Sequence, residues 1–206
     1  MRPSLTLAGA ALAAVMAFAS VAQAATFTIT GGTDYVLPSG SGSPSYDPNP
    51  GTPGLGIGDT VRRNGTLGLS GPAKVVFTLM GYEAGDTNEF RVNGSLGFTN
   101  KTDAPGSSFA LDLGAGTLPF SFTHVNHGVT VTNGQSAGYQ PSLALFALSE
   151  TSVYALFNDG YTGDKDYDDM VVRMDIAQVP LPAAAWLLLA GLGGLGAVSR
   201  RRAARV

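Results

Sequence analysis

Short runs in which apolar and polar residues alternate recur about every ten residues between positions 25 and 176, the spacing of an all-β domain. Residues 25–30, Ala-Thr-Phe-Thr-Ile-Thr, read as a first strand entering a sheet. Residues 74–82 are the most apolar run and predict a central strand covered on both faces. Further strands are predicted over 89–92, 108–113, 119–125, 129–132, 143–148, 153–157 and 170–176, with Gly, Asn and Asp between them. Asn133-Gly134 suits a hairpin turn, although the polar residues 135–140 make a poor partner strand. Between 31 and 60, Pro38, Pro44, Pro48, Pro50 and Pro53 interrupt a Gly- and Ser-rich stretch, read as a long irregular surface segment. No soluble amphipathic helix is predicted. The fold class is all-β, a β-sandwich of jelly-roll type.

Both ends depart from this pattern. Residues 1–24 carry a basic Arg2, an apolar stretch and the small-residue site Ala22-Gln23-Ala24, the layout of a secretory signal peptide. At the other end, Val179-Pro180-Leu181-Pro182-Ala183 leads into an apolar run. Val179 to Val198 is 20 residues without a charge, the length of a single transmembrane helix. Arg200, Arg201 and Arg202 follow as a topology stop that keeps the C-terminus cytoplasmic. The expected division is a leader (1–24), a β-sandwich ectodomain (25–178) and a tail (179–206).

That tail resembles the PEP-CTERM family of bacterial sorting signals, in the variant whose motif reads V-P-L-P-A. Motif, span and arginine cluster stand in the family's order over roughly the last 28 residues. Leu181 departs from the parent pattern, which has Glu between the prolines. The resemblance implies recognition by an exosortase in the inner membrane, cleavage near the Pro motif, and delivery to the cell surface or an exopolysaccharide matrix. An ordinary membrane anchor is the alternative; a GPI signal would lack the arginines.

Charge sharpens the picture of the ectodomain. Five of the 12 basic residues lie in the leader and tail, while all 15 acids lie between Asp34 and Asp175, leaving a balance near −8. Such a surface repels nucleic acid and suits hard cations or neutral glycans. There is no cysteine, so disulfides, zinc thiolates and thiol nucleophiles are excluded.

Candidate chemistry concentrates in residues 158–172, where Asp159, Asp164, Asp166, Asp168 and Asp169 crowd a Gly-containing loop. Carboxylates this close repel one another unless a cation or a basic partner sits among them, and hard oxygen donors are what Ca²⁺ takes. The D-x-D-x-D spacing is not an EF-hand: Asp169 stands where that loop needs Gly, and Met170-Val171-Val172 reads as strand. The run resembles the D-x-D-[YF]-[ND]-D-[ML]-V segment of many bacterial surface proteins. That resemblance implies a loop entering a late strand, with Asp164, Asp166 and Asp168 or Asp169 as metal ligands and Tyr167 packed beneath. The alternative is an acidic turn whose aspartates cap backbone N–H groups.

A second segment, Gly81-Tyr82-Glu83-Ala84-Gly85-Asp86-Thr87-Asn88-Glu89-Phe90, is similar to a G-x-E-A-G-x-x-N-x-F strand end that recurs in secreted PEP-CTERM proteins. If the two turns meet, Glu83, Asp86 or Asn88 would complete the coordination shell. His124 and His127 form H-x-x-H, but residues three apart on a strand face opposite sides, so they converge only if Asn126 starts a turn. The ordinary reading is a surface or hairpin pair. Tyr82, Phe90, Phe98, Tyr139 and Tyr154 are core or edge packing, or a sugar-stacking row. No nucleophile elbow or His-Glu-x-x-His run is present. The expectation is a non-catalytic exported surface or matrix domain stabilised by Ca²⁺. A glycan-binding or adhesive module is the alternative, and a secreted hydrolase a more distant one.

Overall fold

The computed structural model describes residues 24–38, 52–135, 141–160, 165–177 and 191–192. The leader up to Gln23, the Val179–Ala183 motif, Arg200, Arg201 and Arg202 lie outside the described residues, and of the apolar run only Gly191 and Leu192 are described, as helix. No helix among the described residues is long and apolar enough to cross a membrane.

Among the described residues fourteen strands follow one another: β1 (Phe27–Thr30), β2 (Thr33–Val36), β3 (Thr60–Arg63), β4 (Thr66–Leu69), β5 (Ala73–Gly81), β6 (Asn88–Val92) and β7 (Ser95–Thr99). Then come β8 (Ser108–Leu113), β9 (Gly116–Thr117), β10 (Phe120–His124), β11 (Val129–Thr132), β12 (Ser142–Ser149), β13 (Ser152–Asn158) and β14 (Met170–Ile176). They build a seven-stranded sheet in the order β2-β3-β12-β13-β14-β5-β8, a four-stranded sheet β11-β10-β6-β7 and a three-stranded sheet β1-β4-β9. All pairings are antiparallel. The described residues between 24 and 177 are all-β, and the two smaller sheets share one core with the large one.

Period-two alternation creates that core. Val75, Phe77 and Leu79 on β5, Phe90 and Val92 on β6, and Phe120 and Phe122 on β10 all point inward and are almost fully buried. Rings meet across the layers: Phe122 stacks on Phe157 with centroids 5.0 Å apart, and Phe77 lies 5.7 Å from Phe90. The outer face of the large sheet carries a second core of Leu37, Leu55, Val61, Tyr154, Leu156 and Tyr167. Consequently the strand covered on both faces is β13, buried at every position, whereas β5 keeps Val76, Thr78 and Met80 only half-buried.

Nine predicted strands are present, three with the predicted limits and six with limits displaced by a residue or two. β2 lies inside the stretch expected to be irregular, and β3, β4, β7 and β9 were not anticipated. Each of these is short or contains charge or Gly, so its alternation is weak. Asn133 and Gly134 form a turn closed by Gln135 N donating to Thr132 O at 2.9 Å, and residues 136–140 beyond it lie outside the described residues. Asn93 and Gly94, at φ 52° and 76°, join β6 to β7 as a two-residue turn of the mirror-image type. Asn133 also bridges layers: its Nδ2 donates to the carbonyls of Leu67 and Leu118, and its Oδ1 accepts from Leu67 N.

The sandwich has two unlike poles. At one, Phe27 N donates to Glu150 O and Ile176 N to Thr151 O, so β1 begins and β14 ends beside the β12–β13 turn. At the other lie the ends of β5, β10 and β13 and the beginnings of β6, β11 and β14.

Candidate metal centres at one pole

Strand register assembles the second pole. Val171 faces Gly81 across β14 and β5, and the pairing continues into the loops, where Glu83 N donates to Asp168 O at 3.1 Å. This places a carboxylate oxygen of Glu83 within 4.8 Å of ones from Asp168 and Asp169. Phe157 faces Met170 across β13 and β14, so Asp159 follows alongside and its N–H donates to Asp169 Oδ2 at 2.8 Å. Asp159 Oδ2 in turn accepts from Asn88 Nδ2 at 3.0 Å, tying the large sheet to β6. Asn88 is fully buried, and its Oδ1 has no hydrogen-bond partner. The two turns singled out in the sequence do meet.

Each expected ligand has a definite place. Asp168 and Asp169 are buried in the trio with the exposed Glu83; Asp164 lies outside the described residues. Asp166, 3% exposed, is not part of the trio; it stands one residue from Tyr167 on the side of the second core. Asp169 also fulfils the alternative role of capping a backbone N–H, which is compatible with ligation through its other oxygen. Desolvating four carboxylates in so short a stretch is unfavourable without compensating donors or a cation.

Tyr167 sits beneath this loop, 1% exposed and at φ 65°, a left-handed conformation that costs a bulky side chain of order 1–3 kcal/mol. Packing against the Tyr35 ring (centroids 5.4 Å apart) and a 2.9 Å hydrogen bond to Ser142 hold it there. Burial pushes its hydroxyl up to about 12, with the Ser142 hydrogen bond and the Arg63 guanidinium opposing the rise. Tyr35 donates to Lys165 O at 2.8 Å, and burial raises its hydroxyl too, Arg63 opposing and Asp166 reinforcing.

The β5–β6 loop, which carries Glu83, also serves a second cluster. Asp86 Oδ2 lies 2.9 Å from His124 Nε2, and the two imidazole rings of His124 and His127 are 4.6 Å apart. A turn over 125–128, closed by Gly128 N donating to Val125 O, is what folds the histidines together. His124 is no surface residue. Phe120, Phe122 and His124 share the inward face of β10, and His124 pairs with Asn88, so both polar residues end the core. The F-x-F-x-H spacing carried that signal. Asn100, which sequence reasoning did not single out as a site residue, anchors the shared loop: its Nδ2 donates to Asp86 O and Ala84 O, and its Oδ1 accepts from Asn88 N.

Of the residues named for sugar stacking, Phe90, Phe98 and Tyr154 are core, Tyr82 packs half-buried against it, and Tyr139 lies outside the described residues. No large exposed hydrophobic residue among the described residues is aromatic.

No protein-family model matches the sequence, and no curated protein matches it significantly. Among solved structures, the fold is similar to the high-affinity mannose-binding lectin of Ralstonia solanacearum, at 15% identity and a TM-score of 0.32, covering 53% of this chain and 91% of that one. It is also similar to the Chromobacterium violaceum lectin CV2L, solved with α-methyl-fucoside, at 15% identity and a TM-score of 0.29, covering 53% of this chain and 92% of that one.

Proposed function

We propose that this chain is a non-catalytic, exported surface or matrix domain whose polar pole is clamped by Ca²⁺. Residues 1–24 direct export, and the tail tethers the domain to the inner membrane until an exosortase cuts near Val179–Ala183. An exopolysaccharide matrix is its proposed surroundings. The observation that supports the clamp is the convergence of Glu83 with the buried Asp168 and Asp169, oxygen donors supplied by two different loops. Asp164 and Asp166, carboxylates of the same acidic segment in sequence, are proposed as further ligands. A cation there would fasten the β5–β6 loop to the entrance of β14 and relieve the carboxylate repulsion.

Thermal unfolding of the full chain in detergent, with and without millimolar Ca²⁺, tests this. Saturation to 100 times Kd stabilises by about 2.7 kcal/mol, a rise of several degrees. Glu83→Gln, at an exposed position, should remove most of the rise while leaving the metal-free protein unchanged. An equal rise in this variant and in Asp168→Asn would place the cation elsewhere. For sorting, intact-mass analysis of protein recovered from producing cells should find a species lacking about the last two dozen residues. Recovery solely as the full-length membrane form would count against processing.

A further inference from the structure

We infer that Asp86, His124 and His127 form a separate site for a first-row divalent cation of the zinc class. One imidazole nitrogen from each histidine and one carboxylate oxygen of Asp86 lie within 4.8 Å of one another. Two nitrogens and one oxygen are a borderline-soft donor set that suits Zn²⁺ and is foreign to Ca²⁺. The chain has just two histidines, and both are here.

The geometry needs little adjustment. Bonds of about 2.0–2.2 Å place neighbouring ligand atoms of a tetrahedral zinc roughly 3.3 Å apart. His124 Nε2 and Asp86 Oδ2 stand 2.9 Å apart, so they must separate by a few tenths of an ångström. His124 is buried and fixed by the sandwich, whereas Asp86 is half-exposed and His127 exposed, so the two outer ligands can move. Their exposure leaves the fourth position facing solvent, where water completes the shell.

Outer contacts orient the carboxylate as second-sphere partners do in built sites. Asn126 Nδ2 donates to Asp86 Oδ1 at 3.1 Å, and Asn126 Oδ1 accepts from Thr87 N at 2.9 Å. Val125 N donates to Thr87 O at 2.9 Å, latching the 125–128 turn to the β5–β6 loop. The ion would cross-link two loops already in register.

The test is Zn²⁺ titration of the full, untagged chain, competed against a chromophoric chelator, with millimolar Ca²⁺ present throughout so that the acidic trio is occupied. One equivalent should bind at micromolar Kd or tighter, and both imidazole signals in the NMR spectrum should shift together. His127→Ala, at an exposed position, should weaken binding on the order of 100-fold and Asn126→Ala about tenfold. Glu83→Gln should leave zinc binding unchanged. Absence of binding, imidazole signals that stay in place, or unaltered affinity in a folded His127→Ala would each overturn the inference, and none of these bears on the calcium clamp.

Discussion

Asn88 and Asn100 exchange two hydrogen bonds: Asn88 N donates to Asn100 Oδ1 at 2.9 Å, and Asn100 N donates to Asn88 O at 3.2 Å. One end of β6 is thereby locked to the end of β7, and the loop that carries Glu83 and Asp86 is held between them. Both asparagines are nearly inaccessible to water, so the lock works without solvent competition.

Asn100→Ala should therefore destabilise the domain by about 2–3 kcal/mol, because it strands the buried Asn88 N–H and two loop carbonyls. The neighbouring Lys101, whose exposed Nζ donates to Gly85 O, provides the contrast: Lys101→Ala should stay within about 0.5 kcal/mol. Denaturant unfolding of both variants decides the matter, and equal losses would contradict the lock.

Tyr167 predicts an alkaline limit. Its hydroxyl ionises near pH 12 in the folded chain against about 10 when unfolded, so the unfolded state loses its proton first. Stability is full below pH 10 and falls by about 2–3 kcal/mol as pH rises to 12. Tyr167→Phe should flatten much of that slope, Tyr35 and Tyr154 keeping smaller contributions of the same sign. At neutral pH it should cost about 1 kcal/mol through the stranded Ser142 hydroxyl. A slope as steep as in the parent would refute the assignment.

Gly97 is required for space. A Cβ there would stand 2.8 Å from two ring atoms of Phe109, whose ring is stacked on Phe77 at 4.9 Å. Gly97→Ala should cost about 1–3 kcal/mol by forcing that stack apart. Gly114→Ala, with nothing within 4 Å of the added carbon, is the control and should be near neutral in a thermal melt.

Asn133→Ala should cost about 2–4 kcal/mol, since three hydrogen bonds to the backbone of Leu67 and Leu118 disappear together. Asn133→Asp should fail to rescue, because a carboxylate cannot donate to the two carbonyls. Rescue by Asp would mean that the two donated bonds contribute little.

The long alternating runs were legible because burial on one face writes itself as a period of two: β8, β11 and β14 have the very limits the pattern predicts. What escaped was set by neighbours. β3 ends in Arg62 and Arg63, which look like solvent-facing loop, yet Arg63 lies over the Tyr35 ring at 5.6 Å. β9 has two residues and owes its strand form to β4. At the candidate sites, the acidic loop announced itself by composition, whereas the pairing of Glu83 with Asp168 depends on which strands adjoin β14. His124 was readable from Phe120 and Phe122, but its meeting with Asp86 required knowing that β10 runs beside β6.

The β12–β13 turn receives both chain ends of the domain, while the carboxylates and histidines gather some 20 Å away along β14, seven residues at about 3.3 Å each. A leash attached at either terminus would pull on the same side of the molecule. If the proposed tether holds, the pole with Glu83, Asp168, Asp169 and the two histidines would stand outboard of the lipid, and cutting the leash would free the domain without disturbing that pole.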